Sequence, residues 1–120
     1  VSVPGRHAHQ CHEYYSMAFT ERLKVRVNCP GGNYVTLVIG SNESYQSLAG
    51  RIDAKVGRFM TGGIRKGNLK LQYRDEDNDL VTIRTDEDVR LALVEWFESV
   101  RYMYSGGTCE MDLYCVREAL

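Results

Sequence analysis

The stretch that decides the fold runs Leu69-Lys70-Leu71-Gln72-Tyr73-Arg74-Asp75-Glu76-Asp77-Asn78-Asp79-Leu80-Val81-Thr82-Ile83-Arg84-Thr85-Asp86-Glu87-Asp88. Leu69, Leu71 and Tyr73 alternate with Lys70, Gln72 and Arg74, the period of a half-buried strand. The acidic run that follows has the composition of a turn, and Leu80 to Arg84 reads as a short return strand. Thr85 then offers a capping hydroxyl, and Asp86, Glu87 and Asp88 fall on the positive end of a helix dipole. Asp88 occupies the capping-box position, where Glu or Gln is more usual. Val89, Ala92, Leu93, Trp96, Phe97 and Val100 mark one face of the helix so started.

Toward the N-terminus, Leu23, Val25 and Val27 alternate with Arg22, Lys24 and Arg26, which predicts a strand with a basic outer face. Cys29-Pro30-Gly31-Gly32-Asn33 is a turn by composition, and Tyr34 to Ile39 completes a hairpin. Ser41 to Ser44 supplies capping side chains. Tyr45, Leu48, Ile52, Val56 and Phe59 recur at helical spacing, predicting an amphipathic helix of about four turns with Arg51, Lys55 and Arg58 outside. Gly62, Gly63 and Gly67 make a loop. Beyond the second helix, Ser105-Gly106-Gly107 breaks the chain, and Met111, Leu113 and Cys115 mark a last strand. The order is ββαββαβ. One mixed sheet packed on two helices is the compact solution, an α+β arrangement that fits a ubiquitin-like β-grasp. Residues 1–20 show no sustained period and read as a flexible tail or linker end, with a short helical turn near Tyr14 to Phe19. The folded domain is expected over 21–117, with 118–120 as a C-terminal tail.

At 120 residues, 43% hydrophobic and 26% charged, the chain has the composition of one soluble globular domain. No segment approaches the roughly 18 apolar residues of a membrane helix, and Val1 to Gln10 is not a signal peptide. A start without Met points to a fragment or a processed product. Cys11, Cys29, Cys109 and Cys115 show no close pairing pattern, so a reducing, cytoplasmic setting is expected. The net charge of −1 conceals an asymmetry: residues 1–72 carry ten Lys/Arg against four Asp/Glu, and residues 73–120 carry five against twelve. Oppositely charged halves point to a bipolar surface more than to a nucleic-acid binder, which favours a uniformly basic face.

Seven carboxylates fall within the fourteen positions from Asp75 to Asp88. Like charge so concentrated repels itself, so a purely structural role is inefficient. A solvated turn plus a charged helix start would account for Asp86 to Asp88 but not for Asp75 to Asp79. Asp75, Asp77 and Asp79 also match the opening of an EF-hand calcium loop, but Leu80 stands where that loop needs Gly and Asp86 where it needs Glu. No metal or other cofactor is expected.

Residues 23–116 resemble a Phox-and-Bem (PB-one) domain, and residues 73–81 followed by Asp86-Glu87-Asp88 are similar to the family's acidic OPCA motif in register and spacing. The resemblance implies a β-grasp fold whose acidic motif docks front to back onto the basic cluster of another PB-one domain. Carried over by position, Asp75, Asp77, Asp79, Asp86 and Asp88 would be the main salt-bridging acids, with Glu76 and Glu87 as weaker candidates. Asn78 stands where the family often has Gly, a mild departure because Asn tolerates the left-handed conformation. The family's second surface is a basic cluster anchored by a first-strand lysine. Lys24 and Arg26 both fit its apolar-basic-apolar pattern, leaving two registers open, and Arg22 shares their face. The second strand contributes no Lys or Arg, a departure from the strongly basic members. If the basic face is competent, head-to-tail self-association follows.

The other readings are weaker. A β-grasp module binding nucleic acid or anionic lipid through its basic half would use Arg51, Lys55, Arg58, Arg65, Lys66 and Lys70, but no interleaved aromatics accompany them as stacking platforms. His7, His9, Cys11 and His12 have zinc-ligand chemistry without a second ligand pair on a folded element. There is no nucleophile elbow, and residues 62–67 have the wrong spacing for a Walker loop; all three histidines lie in the tail. The expectation is therefore a non-enzymatic interaction module, with no nucleic-acid partner and no membrane insertion. The ending Arg117-Glu118-Ala119-Leu120 lacks the Gly-Gly of a conjugated ubiquitin-like protein. PB-one domains occur in fungal polarity exchange factors, oxidase subunits, kinases and autophagy receptors. The end at Leu120 leans the expectation toward a C-terminal domain, as in the fungal exchange factors of Rho-type GTPases, assembling a signalling or polarity complex.

Overall fold

Alternation along the first strand sets the geometry. In a computed structural model, which describes residues 22–100 and 110–118, β1 (Arg22–Asn28) buries Leu23, Val25 and Val27 and turns Arg22 and Lys24 to solvent. A single turn of 3-10 helix at Pro30–Gly32 reverses the chain, with Gly31 and Gly32 at positive φ, and β2 (Tyr34–Gly40) returns antiparallel to β1. Helix α1 (Tyr45–Val56) is capped by Ser44, whose hydroxyl accepts the Ser47 N–H. Then follow β3 (Leu69–Arg74), β4 (Leu80–Ile83), helix α2 (Asp86–Val100) and β5 (Met111–Arg117).

The five strands form one sheet in the order β2-β1-β5-β3-β4. The first and last strands run parallel at its centre, and the other pairings are antiparallel. Leu48, Ala49, Ile52 and Val56 of α1, with Val89, Ala92, Leu93 and Phe97 of α2, close over the inner face of the sheet. This is the mixed sheet on two helices that the order ββαββαβ requires. Trp96 is half-buried and meets Phe97 edge-on, with ring centroids 5.1 Å apart.

Helix α1 is shorter than the apolar spacing predicts. It stops at Val56: Gly57, a poor helix former, takes the C-cap position, and the next N–H groups, of Arg58 and Phe59, are donated to the Lys55 and Val56 carbonyls, three residues back instead of four. Phe59 therefore leaves the helix face and is 41% exposed. The Asp53 carboxylate then accepts the N–H groups of Ile64 and Arg65 at 2.7 and 3.2 Å, pinning the glycine loop against α1. At the other boundary, β4 ends at Ile83, not Arg84, because the Arg84 N–H is donated to the Asp88 carboxylate at 2.9 Å. The tail with its expected turn at Tyr14 to Phe19, the histidines and Cys11, the Ser105-Gly106-Gly107 break and Cys109 lie outside the described residues.

Candidate docking surface

The turn between β3 and β4 is built around one carboxylate. Asp75 Oδ1 accepts the backbone N–H groups of Asp77 and Asp79, both at 2.9 Å. The Asp75 N–H is donated to the Asp79 carbonyl, and the Asn78 N–H to the Asp75 carbonyl. Asn78 sits at φ 67°, the left-handed conformation that the short polar side chain tolerates. Outside the turn, Arg74 donates to the Asn78 carbonyl at 2.9 Å, and its guanidinium lies 5.3 Å from the Tyr114 ring centroid. Asp75 is half-buried, whereas Glu76, Asp77 and Asp79 are exposed. Carboxylate oxygens of Asp75, Asp77 and Asp79 all lie within 4.8 Å of one another. Three like charges held so close on a rigid turn make a strongly negative point that attracts cations.

The second acidic group starts α2. Thr85 accepts the Asp88 N–H at 3.1 Å, and Asp88 answers by accepting from Arg84, one residue earlier than in a standard capping box. Asp86 reaches across to another element and accepts the Tyr45 N–H at 2.7 Å, tying the start of α1 to the start of α2. Glu87 is exposed, and among the described residues no hydrogen bond or ion pair engages its side chain. The two acidic groups flank β4 in the chain, one before Leu80 and the other after Ile83. The seven acids thus divide by use. Asp75, Asp86 and Asp88 spend oxygens on backbone N–H groups, while the side chains of Glu76, Asp77, Asp79 and Glu87 are bonded to no described residue.

Behind the acidic turn, Tyr73 is 3% exposed and donates its hydroxyl to Glu95 Oε2 at 3.3 Å. Burial, followed by the negative charge of Glu95, pushes this phenol up to about 12. A cavity of about 120 Å³ lies beside it, lined by Tyr73, Asp75, Glu76, Glu95 and Trp96 among others.

On the other half of the sheet, the candidate basic residues differ among themselves. Arg22 is exposed at the strand end. Lys24 is opposite Val38 in the hairpin and forms a 3.8 Å ion pair with Glu110. Arg26 lies over the Tyr34 ring, its Cζ 3.9 Å from the centroid, with its Nε buried, and faces Asp112 across the parallel pair. Glu110, just before β5, and Asp112 within it escaped the sequence reading as neighbours of β1. The apolar residues Met111, Leu113 and Cys115 mark the strand, but the pairing of β5 with β1 that brings Glu110 and Asp112 to Lys24 and Arg26 has no local signature.

Two of the six cations considered for nucleic acid or lipid are engaged within the domain. Arg51 donates to Glu43 and to the Val38 carbonyl, and Arg65 is held by Asp53 at 3.4 Å. Among the described residues no helix is long and apolar enough to cross a membrane.

The comparisons agree with this architecture. A family profile described as PB1 domain matches residues 22–117. Among solved structures, the solution structure of the PB1 domain of Cdc24p (long form) superposes with a TM-score of 0.56 at 21% identity, covering 82% of this chain and 98% of that one. A cryo-EM structure of an AtNBR1-PB1 filament (L-type) superposes with a TM-score of 0.51 at 19% identity, covering 82% of this chain and all of that one. No curated protein matches the chain. With its profile match spanning every described strand and helix, the chain belongs to the PB1 domain family of protein–protein interaction modules.

Proposed function

We propose that residues 21–117 serve as the acidic partner in a front-to-back pairing of PB1 domains. Glu76, Asp77, Asp79 and Glu87 meet the basic cluster of the other domain; Asp75, Asp86 and Asp88 act mainly by holding those four in place. The observation that carries this reading is the division of the acids: four exposed carboxylates bonded to no described residue, on a turn and a helix start whose backbones are fixed by the other three. Clustering unpaired charge on a rigid frame raises the energy of the free domain, and a cationic partner relieves it. Each exposed bridge contributes only ~0.2–1 kcal/mol, so the set acts together and binding weakens steeply with salt. Complementary fields also speed association and select partners.

This is a binding role without catalysis, and the partner chemistry is a basic protein surface in preference to nucleic acid or lipid. The setting this reading takes is reducing and cytoplasmic, where the domain would recruit a signalling or polarity complex. The test is calorimetric titration against a PB1 domain bearing a basic first strand. Asp77→Lys with Asp79→Lys is expected to abolish binding while leaving the melting temperature unchanged or raised. Undiminished affinity in that double variant sinks the proposal.

A further inference from the structure

We infer that Glu110 and Asp112 counter-charge the basic strand and make this domain one-faced: it offers its acidic turn outward, while its Lys24 side is closed to the acidic turn of a second copy. The inference rests on the front-to-back pairing proposed above.

The outer face of β1 carries three cations, Arg22, Lys24 and Arg26. Its neighbour β2, with the sequence YVTLVIG, adds none. Its other neighbour, β5, with the residue just before it, brings two carboxylates, Asp112 and Glu110, to the same face. The Lys24 ammonium is 3.8 Å from Glu110, with the lysine side chain 61% exposed and the glutamate only 20%. The carboxylate thus sits against the sheet, beside an ammonium that still reaches solvent. Asp112 stands opposite Arg26 in the parallel ladder and is fixed by the Asn28 side-chain amide at 3.1 Å. Arg26 is itself packed over Tyr34 with a buried Nε, so its guanidinium is committed to the sheet surface. An acidic turn approaching Lys24 is therefore brought against Glu110 and Asp112, and like charges juxtaposed at an interface oppose association.

Analytical ultracentrifugation of the full chain tests this with wild type, Glu110→Gln, Asp112→Asn and the double variant, at low and high salt. Asp112→Asn keeps an oxygen for the Asn28 amide, and thermal melts establish that each variant is folded. Wild type is expected to stay monomeric across the concentration series. The double variant is expected to self-associate roughly tenfold or more tightly than wild type, in a manner reversed by salt and by adding Asp77→Lys. Wild type that already assembles through Lys24 would overturn the inference. So would a folded double variant that stays monomeric yet still binds the basic PB1 probe. If the probe is not bound either, the failure lies with the docking reading itself, and the inference falls with it.

Discussion

Replacing Asp75 with Ala is the perturbation that most directly separates holding from docking. The substitution removes the acceptor of two backbone N–H groups, each 2.9 Å from Asp75 Oδ1. A net contribution of about 0.5–1.5 kcal/mol per bond sets a loss of ~1–3 kcal/mol. Relief of repulsion among three carboxylates within 4.8 Å returns a few tenths of a kcal/mol. For a domain of this size, a net loss of ~1–2 kcal/mol lowers the melting temperature by about 5–10 °C. Asp75→Asn keeps a neutral acceptor oxygen and should lose less than half as much. The assay is differential scanning calorimetry on wild type, both Asp75 variants and Asp77→Ala. Asp77→Ala should leave stability unchanged or improved, since the Asp77 side chain bonds no described residue. A melting temperature for Asp75→Ala within about a degree of wild type would refute the claim that this carboxylate organises the turn.

Two further predictions concern backbone strain and alkaline pH. At Asn78, φ 67° tolerates Asn and suits Gly, so Asn78→Gly should be near neutral, while Asn78→Val should cost about 1–3 kcal/mol in urea unfolding. The Tyr73 phenol is raised from 10.0 to about 12 by burial and by Glu95, and the Cys115 thiol is raised from 9.0 to about 12 by burial. The folded state holds these protons where the unfolded state has released them. Stability is therefore fully present at neutral pH, declines from about pH 9 and is lost progressively as pH rises toward 12. Unfolding free energy measured against pH should fall along that limb, and Tyr73→Phe should flatten its portion above pH 10 without removing the part due to Cys115.

The strands were legible because one buried face imposes a period of two on Leu23, Val25 and Val27 and on Leu69, Leu71 and Tyr73; Gln72 departs from it, buried on the other face with its amide donated to the Thr82 hydroxyl. The end of α1 was not. Phe59 preserves helical spacing, but Gly57 and the tightened bonds of Arg58 and Phe59 to the Lys55 and Val56 carbonyls end the helix before it, a decision of hydrogen bonding that apolar spacing does not register. The acidic segment was legible as a site by composition alone. Which acids are spent on the frame was hidden, because Asp75 and Asp86 differ from Asp77 and Asp79 only in the backbone N–H groups near them. The reach of Asp86 to Tyr45 crosses 41 residues, and that of Lys24 to Glu110 joins strands whose pairing carries no local signature.

The parallel union of β1 with β5 at the centre of the sheet also governs how the chain acquires its structure. The β1–β2 hairpin and the β3–β4 hairpin can each form early from local contacts, but they share no hydrogen-bonded edge with one another. Only β5 joins them, so the two halves stay unregistered until Met111 to Arg117 is available. Closing a loop from residue 25 to residue 111 must precede most of the reward, which makes this a domain of high contact order and slow folding for its size. On the ribosome, Val25, Val27 and Leu71 wait without their central partner until the last strand emerges. Deleting only those seven residues would split the sheet down its middle and leave two hairpins with unpaired inner edges, an open invitation to aggregate.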